Sequence, residues 1–315
     1  MRWMRKYIFK RLLYLFPVLF GITFLTFALT YFSPGDPAVL MLNATGVTPS
    51  PELVEKVRGE LGLDRPFLLQ YFSWLSGVIR GDFGISYKYN KPVLDLIFET
   101  LPATFKLAVV SIFLMLLIAL PLGILSALYK NKLADYVIRT VSFFGISMPG
   151  FWVGLLLMYI FSLKLKILPV MGDSGWTSII LPSATLTVAM ASKYTRQLRA
   201  SILEEISQNY VVGARSRGIG KWCILLKHVL KCSLLSIITL LGLSLGSLLG
   251  GTAIVETIFS WPGVGKLAVE GIFTRDYPLI QGYVVWMTLL YVFVNLAVDI
   301  SYYILDPRIR LEKGA

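Results

Sequence analysis

The sequence predicts an all-α polytopic membrane protein with six transmembrane helices and both termini in the cytosol. Three observations carry this expectation. Of 315 residues, 56% are hydrophobic and 15% charged, whereas soluble domains carry about 25% charged residues. The stretch Leu107–Leu128 contains no charged side chain, and at 1.5 Å per residue it is long enough to cross a hydrocarbon core of about 30 Å. The formal charge of +12 collects in segments between and beside the apolar runs, as the positive-inside rule requires. The excess charge therefore points to a lipid bilayer rather than to nucleic acid.

The first helix is expected over about Tyr7–Phe32. Arg2, Arg5, Lys6, Lys10 and Arg11 precede its apolar run. No small-residue cleavage site follows, so the segment reads as a retained span within residues 1–32 rather than a signal peptide. Ser33-Pro34-Gly35-Asp36-Pro37 ends it with turn-forming residues. Residues 33–102 form an extracytoplasmic segment in which acids slightly outnumber bases. Within it, Ser50 opens an amphipathic helix, Pro51–Leu61, with Glu52 and Glu55 near its start.

Residues 103–305 hold the other five spans. These are Ala103–Leu128, Val137–Leu163, Ser178–Leu198, Ser233–Val255 and Ile280–Leu305. Ser147-Met148-Pro149-Gly150 is expected to kink the second of them. A basic cytosolic loop occupies about 199–232, an outer excursion occupies 256–279, and residues 306–315 form a cytosolic tail.

Several reactive classes are excluded by residue type. His228 is the only histidine, and Cys223 and Cys232 form no CxxC pair. An intramembrane enzyme or a histidine-based metal path lacks the groups it would need, so no catalytic, cofactor or metal residue is assigned. Gly263-Val264-Gly265-Lys266 lacks the first glycine and the final Ser or Thr of a phosphate-binding loop, since Ser260 and Leu267 occupy those places. Any ATP must therefore be hydrolysed on another chain. An ion-coupled transporter would show inverted repeats or several buried ionisable groups. Asn295 and Asp299 are the main candidates, and Asp299 lies close enough to the cytosolic end to pair with inner-loop cations.

Three features remain for function. In the basic loop, Trp222, Leu225, Leu226 and Val229 can share one helical face while Arg215, Arg217, Lys221 and Lys227 point elsewhere. Periodicity alone fits either docking into a cytosolic partner or lying on anionic lipid. Gly242, Gly246 and Gly250 recur every four residues and form a smooth stripe, suited to helix packing or to a narrow path. The excursion starting at Glu256 carries Phe259, Trp261 and Pro262, an arrangement expected to dip into the outer membrane edge and return.

The loop also carries a resemblance. Val212-Gly213-Ala214, then Gly218, then His228-Val229-Leu230 resembles the cytosolic loop of binding-protein-dependent ABC importer permeases. Val212 replaces that motif's glutamate, and Lys231 replaces its proline. Further segments are similar to the B-type permease subunits of dipeptide, oligopeptide and nickel importers. They include Leu61-Gly62-Leu63-Asp64-Arg65-Pro66, Gly81-Asp82-Phe83-Gly84-Ile85-Ser86, Ser147-Met148-Pro149, Glu256 to Gly265, Arg275-Asp276-Tyr277-Pro278 and Asp306-Pro307-Arg308. Asp82 to Val93 and Pro169 to Trp176 resemble the nickel branch most.

The resemblance implies a type I ABC importer permease fold in a bacterial plasma membrane. The chain would form half of a path for nickel, as a chelate, or alternatively for peptides. Implied partners are a second homologous permease subunit, two ABC ATPase subunits that bind ATP and Mg, and an extracytoplasmic binding protein. Gly213, Ala214, Arg215, Gly218, His228 and Leu230 would belong to the ATPase-coupling loop. Gly242, Gly246, Gly250, Asn295, Asp299 and Met148 would belong to the path or its packing, and Glu256, Phe259, Trp261, Pro262 and Asp276 to the outer mouth.

Overall fold

The computed structural model describes residues 2–44, 46, 49–170 and 175–305. Two expectations, the Asp306-Pro307-Arg308 tail and residues 171–174 of the Pro169 to Trp176 segment, lie outside the described residues. Those residues are overwhelmingly helical, with one isolated bridge between Ile85 and Pro92. The chain divides into two compact units, Met1–Thr104 with Pro262–Leu296 and Phe105–Trp261 with Ala297–Ala315.

The first unit begins with α1, Arg2–Tyr31, followed by α2, Pro37–Ala44, and α3, Pro51–Glu60. Ser50 caps α3 as its sequence predicts, its Oγ accepting the Leu53 N–H at 3.3 Å. A further helix, α4, Phe67–Ile79, was not expected. At 13 residues it is too short to span, yet its apolar face is used. The α4 residues Phe67, Tyr71 and Trp74 meet Phe24 and Phe27 of α1 with ring centroids 5.4–5.7 Å apart in the closest pairs. Thr23 and the buried Tyr71 hydroxyl share a hydrogen bond of 3.0 Å. Meanwhile Phe16, Leu25 and Leu29 of α1 remain exposed, the surface a lipid-facing helix requires.

Helix α5 runs Val93–Leu128 and starts ten residues before the expected Ala103. Asp95 lies in its first turn, where an acid is favourable because it faces the positive end of the helix dipole. In the second unit, α6, Leu133–Ser147, and α7, Gly150–Met158, are followed by a π-turn, Tyr159–Lys164. The expected kink is present: Leu133–Ser147 and Gly150–Lys164 are bent by 101°. Met148, held extended by the proline after it, and Pro149, which has no backbone N–H to donate, end α6 at Ser147.

Next come α8, Ile180–Ile206, then α9, Asn209–Ser216, α10, Lys221–Ile224, a π-turn, Leu225–Val229, and α11, Leu230–Gly251. Helix α12, Ala253–Ile258, closes this stretch; α13, Val264–Thr274, and α14, Tyr277–Leu305, complete the chain. Leu13–Tyr31, Val93–Leu128 and Tyr277–Ser301 are each long and apolar enough to cross a bilayer, and the bent pair makes a fourth candidate. The fourth and fifth expected spans fall on α8 and α11, which are not among those helices. Helix α8 carries Lys193, Arg196 and Arg199 in its second half, and α11 interleaves leucine with Ser, Thr and Gly.

Candidate functional site

The basic loop folds into a backed segment within the second unit. Val211 and Ala214 of α9 and Ile224, Leu225 and Val229 after Gly220 are buried in one cluster with Met115, Leu198 and Ile202. Water-facing loop helices gain the hydrophobic term from such burial, roughly 1.5–3 kcal/mol for each large aliphatic side chain. The single shared face expected for Trp222, Leu225, Leu226 and Val229 is split. Leu225 and Val229 point inward, whereas Trp222 and Leu226 are 63% and 56% exposed. The π-turn is the reason: its i→i+5 bonding changes which side chains align, so a 3.6-residue template misassigns them.

Val212 joins Trp222 and Leu226 among the exposed apolar side chains of the segment, with Gly213, Arg215, Gly218 and His228 also exposed and Leu230 half-buried. Gly218 has φ of +74° and nothing within 4 Å of a built Cβ. The glycine is thus required by backbone conformation rather than space. It ends a tight turn closed by its N–H to Arg215 O at 2.9 Å and by Ile219 N–H to Ala214 O at 3.2 Å.

Glu256 lies on α12, Ala253–Ile258. Its side chain is fully buried in the second unit, where Thr252 Oγ1 donates to Oε1 at 2.9 Å. The Trp261 N–H donates to the Glu256 carbonyl at 2.8 Å, closing the turn through Ser260, whose φ is +51°. Phe259 and Trp261 are buried. Phe259 packs with Leu181 and Val255 and lies against Gly154, while Pro262 is exposed.

Asp276, in the first unit, is also fully buried. Its Oδ2 accepts from Ser86 Oγ at 2.5 Å and the Lys88 N–H at 3.1 Å, and its Oδ1 accepts the Leu279 N–H at 3.3 Å. One carboxylate thus caps α14 and anchors the Ile85–Pro92 hairpin. Beside it, Lys88 Nζ donates to Glu270 at 2.7 Å and the Tyr89 hydroxyl donates to the same carboxylate. Burial works to raise the Glu270 pKa, but these hydrogen bonds outweigh it and hold the group below its ordinary range.

Gly242 and Gly246 of the stripe are buried on α11, which also carries Gly250. A Cβ at Gly242 would meet Val298 Cγ1 at 2.2 Å, so this glycine permits a close helix approach. Nearby Tyr194 OH donates to Ser244 Oγ at 2.7 Å. Met148 is half-buried at the α6–α7 break, and Asn295 and Asp299 are half-buried on α14. Sequence reasoning missed the buried Asp135–Arg199 ion pair. Asp135, fully buried, receives Arg199 Nε and Nη2, each at 2.7 Å, with Ser126 Oγ at 2.6 Å and the Asn131 N–H at 2.9 Å. Its partners lie up to 64 residues away, so no local pattern announces it.

Residues 119–311 match the family described as "Binding-protein-dependent transport system inner membrane component", and residues 4–108 match the N-terminal family of such membrane components. The glutathione transport system permease protein GsiC of Escherichia coli (strain K12) is 38% identical over 309 residues, covering 98% of this chain and 100% of that protein. GsiC of Shigella flexneri serotype 5b (strain 8401) is 37% identical over the same length. Among solved structures, an inward-facing MetNI methionine ABC transporter has a similar fold, with a TM-score of 0.58 and 18% identity. That likeness covers 67% of this chain and 96% of the matched one.

Proposed function

The chain belongs to the family of binding-protein-dependent transport system inner membrane components, and we propose that it forms half of a translocation path for short peptides of the glutathione class. It is a permease subunit of an ABC importer and a multi-pass inner-membrane protein, without an ATPase site of its own. ATPase and binding-protein partners follow from that assignment. In the proposed assembly there are two ATPases, a second homologous permease subunit, and a binding protein on the outer side. Six spans place both termini in the cytosol, with α9, α10 and the following π-turn facing the ATPases.

The observation that carries the coupling role is the two-sided segment described above. Its back is fixed by Val211, Ile224, Leu225 and Val229, while Val212, Trp222 and Leu226 stand free at its front. A rigid back transmits force, and an exposed apolar front suits a cleft on another protein. ATP binding can set direction only if the partner contacts this front differently in the inward and outward states. Gly213, Ala214, Arg215, Gly218, His228 and Leu230 shape or flank it. The Asp276 corner, with Glu256, Phe259, Trp261 and Pro262, is assigned to the outer mouth.

The substrate reading rests on the full-length similarity to glutathione permeases. Nickel chelate import is the second reading, favoured by the resemblance of Asp82 to Val93 and of Pro169 to Trp176. Proteoliposomes containing the permease pair, the ATPases and the binding protein discriminate the two. ATP-dependent uptake of labelled glutathione or dipeptide is expected. Uptake of labelled nickel with no peptide uptake would reverse the assignment.

A further inference from the structure

A groove of about 610 Å³ lies in the second unit, lined by Tyr136, Arg139, Phe143 and Phe144 of α6 and by Arg196 and Arg199 of α8. Its three guanidiniums are not equivalent. Arg199 is neutralised by the bidentate Asp135 pair, which also ties α6 to α8 and holds the groove walls together. Arg139 and Arg196 are exposed and reach no carboxylate among the described residues. Arg139 instead lies 5.8 Å from the centroid of the Tyr136 ring. Arg139 and Phe143 stand four residues apart on α6 and so share a face. Phe143 and Phe144 leave more than half of their surface uncovered.

Two arginines with no carboxylate partner among the described residues stand beside exposed aromatics of α6, which belongs to the bent pair apolar enough to span, and they call for an occupant that is anionic at one end and apolar at the other. A soluble anion would satisfy the arginines but leave the phenylalanines uncovered. We propose that this groove binds an anionic phospholipid of the inner leaflet, with its phosphate between Arg139 and Arg196 and its acyl chains along Phe143 and Phe144. Basic recesses between membrane helices on the cytoplasmic side recognise headgroups in this way, and guanidinium forks match phosphate geometry. The proposal rests on the orientation given above, which puts the start of α6 and the end of α8 at the cytosolic face.

Native mass spectrometry of the purified permease complex in detergent tests it. Phosphatidylglycerol, phosphatidylcholine and inorganic phosphate serve as separate probes. Selective retention of phosphatidylglycerol is expected. Each guanidinium contributes roughly fivefold near an anionic surface, so R139A/R196A should retain this lipid roughly thirtyfold more weakly. Phe143→Ala with Phe144→Ala should weaken phosphatidylglycerol while leaving phosphate binding unchanged. R139Q/R196Q, with better preserved bulk, serves if the alanine variant does not assemble.

Equal retention of both lipids, or unchanged phosphatidylglycerol in the arginine variants, would overturn the proposal. So would complete competition by inorganic phosphate. Loss of the second permease subunit with lipid retention unchanged would assign the groove to the subunit interface instead. The assay needs neither substrate nor ATP, so its failure leaves the permease reading standing. Absent peptide uptake would likewise leave the lipid result untouched.

Discussion

Gly242 shows how one missing methyl group can set the spacing of two helices. Its built Cβ falls 2.2 Å from Val298 Cγ1 and 2.3 Å from Cγ2, inside any tolerable contact. Gly242→Ala should therefore destabilise the protein by about 1–3 kcal/mol through overpacking, even though alanine is the better helix former. Removing the opposing methyls with Val298→Ala should restore most of that loss, and thermal unfolding of the single and double variants checks it. An equal loss in both variants would mean that Val298 is not the obstacle.

Glu270 gives a second residue-scale prediction, with a defined sign. Its carboxyl is held below the ordinary range, so its contribution is present above the unfolded value of about 4.3 and lost as pH falls through the lowered folded value. For Lys88, burial acts downward but the Glu270 bond outweighs it and raises the group. Its contribution is therefore complete below about 10.4 and lost only as pH rises past that range. Hairpin docking should be flat between about pH 5 and pH 10 and should loosen below about pH 4. Anisotropy of a fluorophore at Asn90 reads this directly, and Glu270→Gln should shrink the acid step. An acid step of unchanged size in that variant would count against the assignment.

At the scale of elements, the Asp135–Arg199 pair joins the end of α5, the following turn, the start of α6 and the second half of α8. Removing one member of a buried pair leaves the other charge uncompensated, at a cost of about 3–5 kcal/mol. Asp135→Asn should lower the melting temperature accordingly. Arg199→Lys should not substitute fully, because lysine cannot form the two-bonded fork. A wild-type melting temperature in Asp135→Asn would show that the clamp adds little.

Elements with a local cause were readable beforehand. Ser50 announced α3 because a hydroxyl before a helical run satisfies its first N–H groups. Pro149 announced the α6–α7 break because it has no N–H to give. Elements with a distant cause were not readable. Helix α4 is too short to cross a bilayer, and its packing on α1 holds it in place. The buried position of Glu256 depends on the turn at Thr252, and the split of Trp222 from Leu225 depends on a π-turn without a sequence signature.

Across the whole molecule, the distribution of chemistry is that of one part in a larger machine. The nucleotide-binding motif is incomplete, and polar side chains are spent on anchoring. Asp276 holds a hairpin, Asp135 holds two helices, and Glu256 closes a turn. The prominent unsatisfied surface of the basic loop is apolar, at Val212, Trp222 and Leu226. Because their neighbours Val211, Leu225 and Val229 are buried, these side chains can be changed without opening the bundle.

Co-purification of the ATPase subunits with a Trp222→Glu, Leu226→Glu variant in membranes is the deciding measurement. The variant should insert and melt like the wild-type protein while retaining at least tenfold less ATPase, since burying unpaired carboxylates in a partner's cleft is costly. Wild-type retention of the ATPases together with wild-type ATP-driven uptake would contradict the assignment of this surface to coupling.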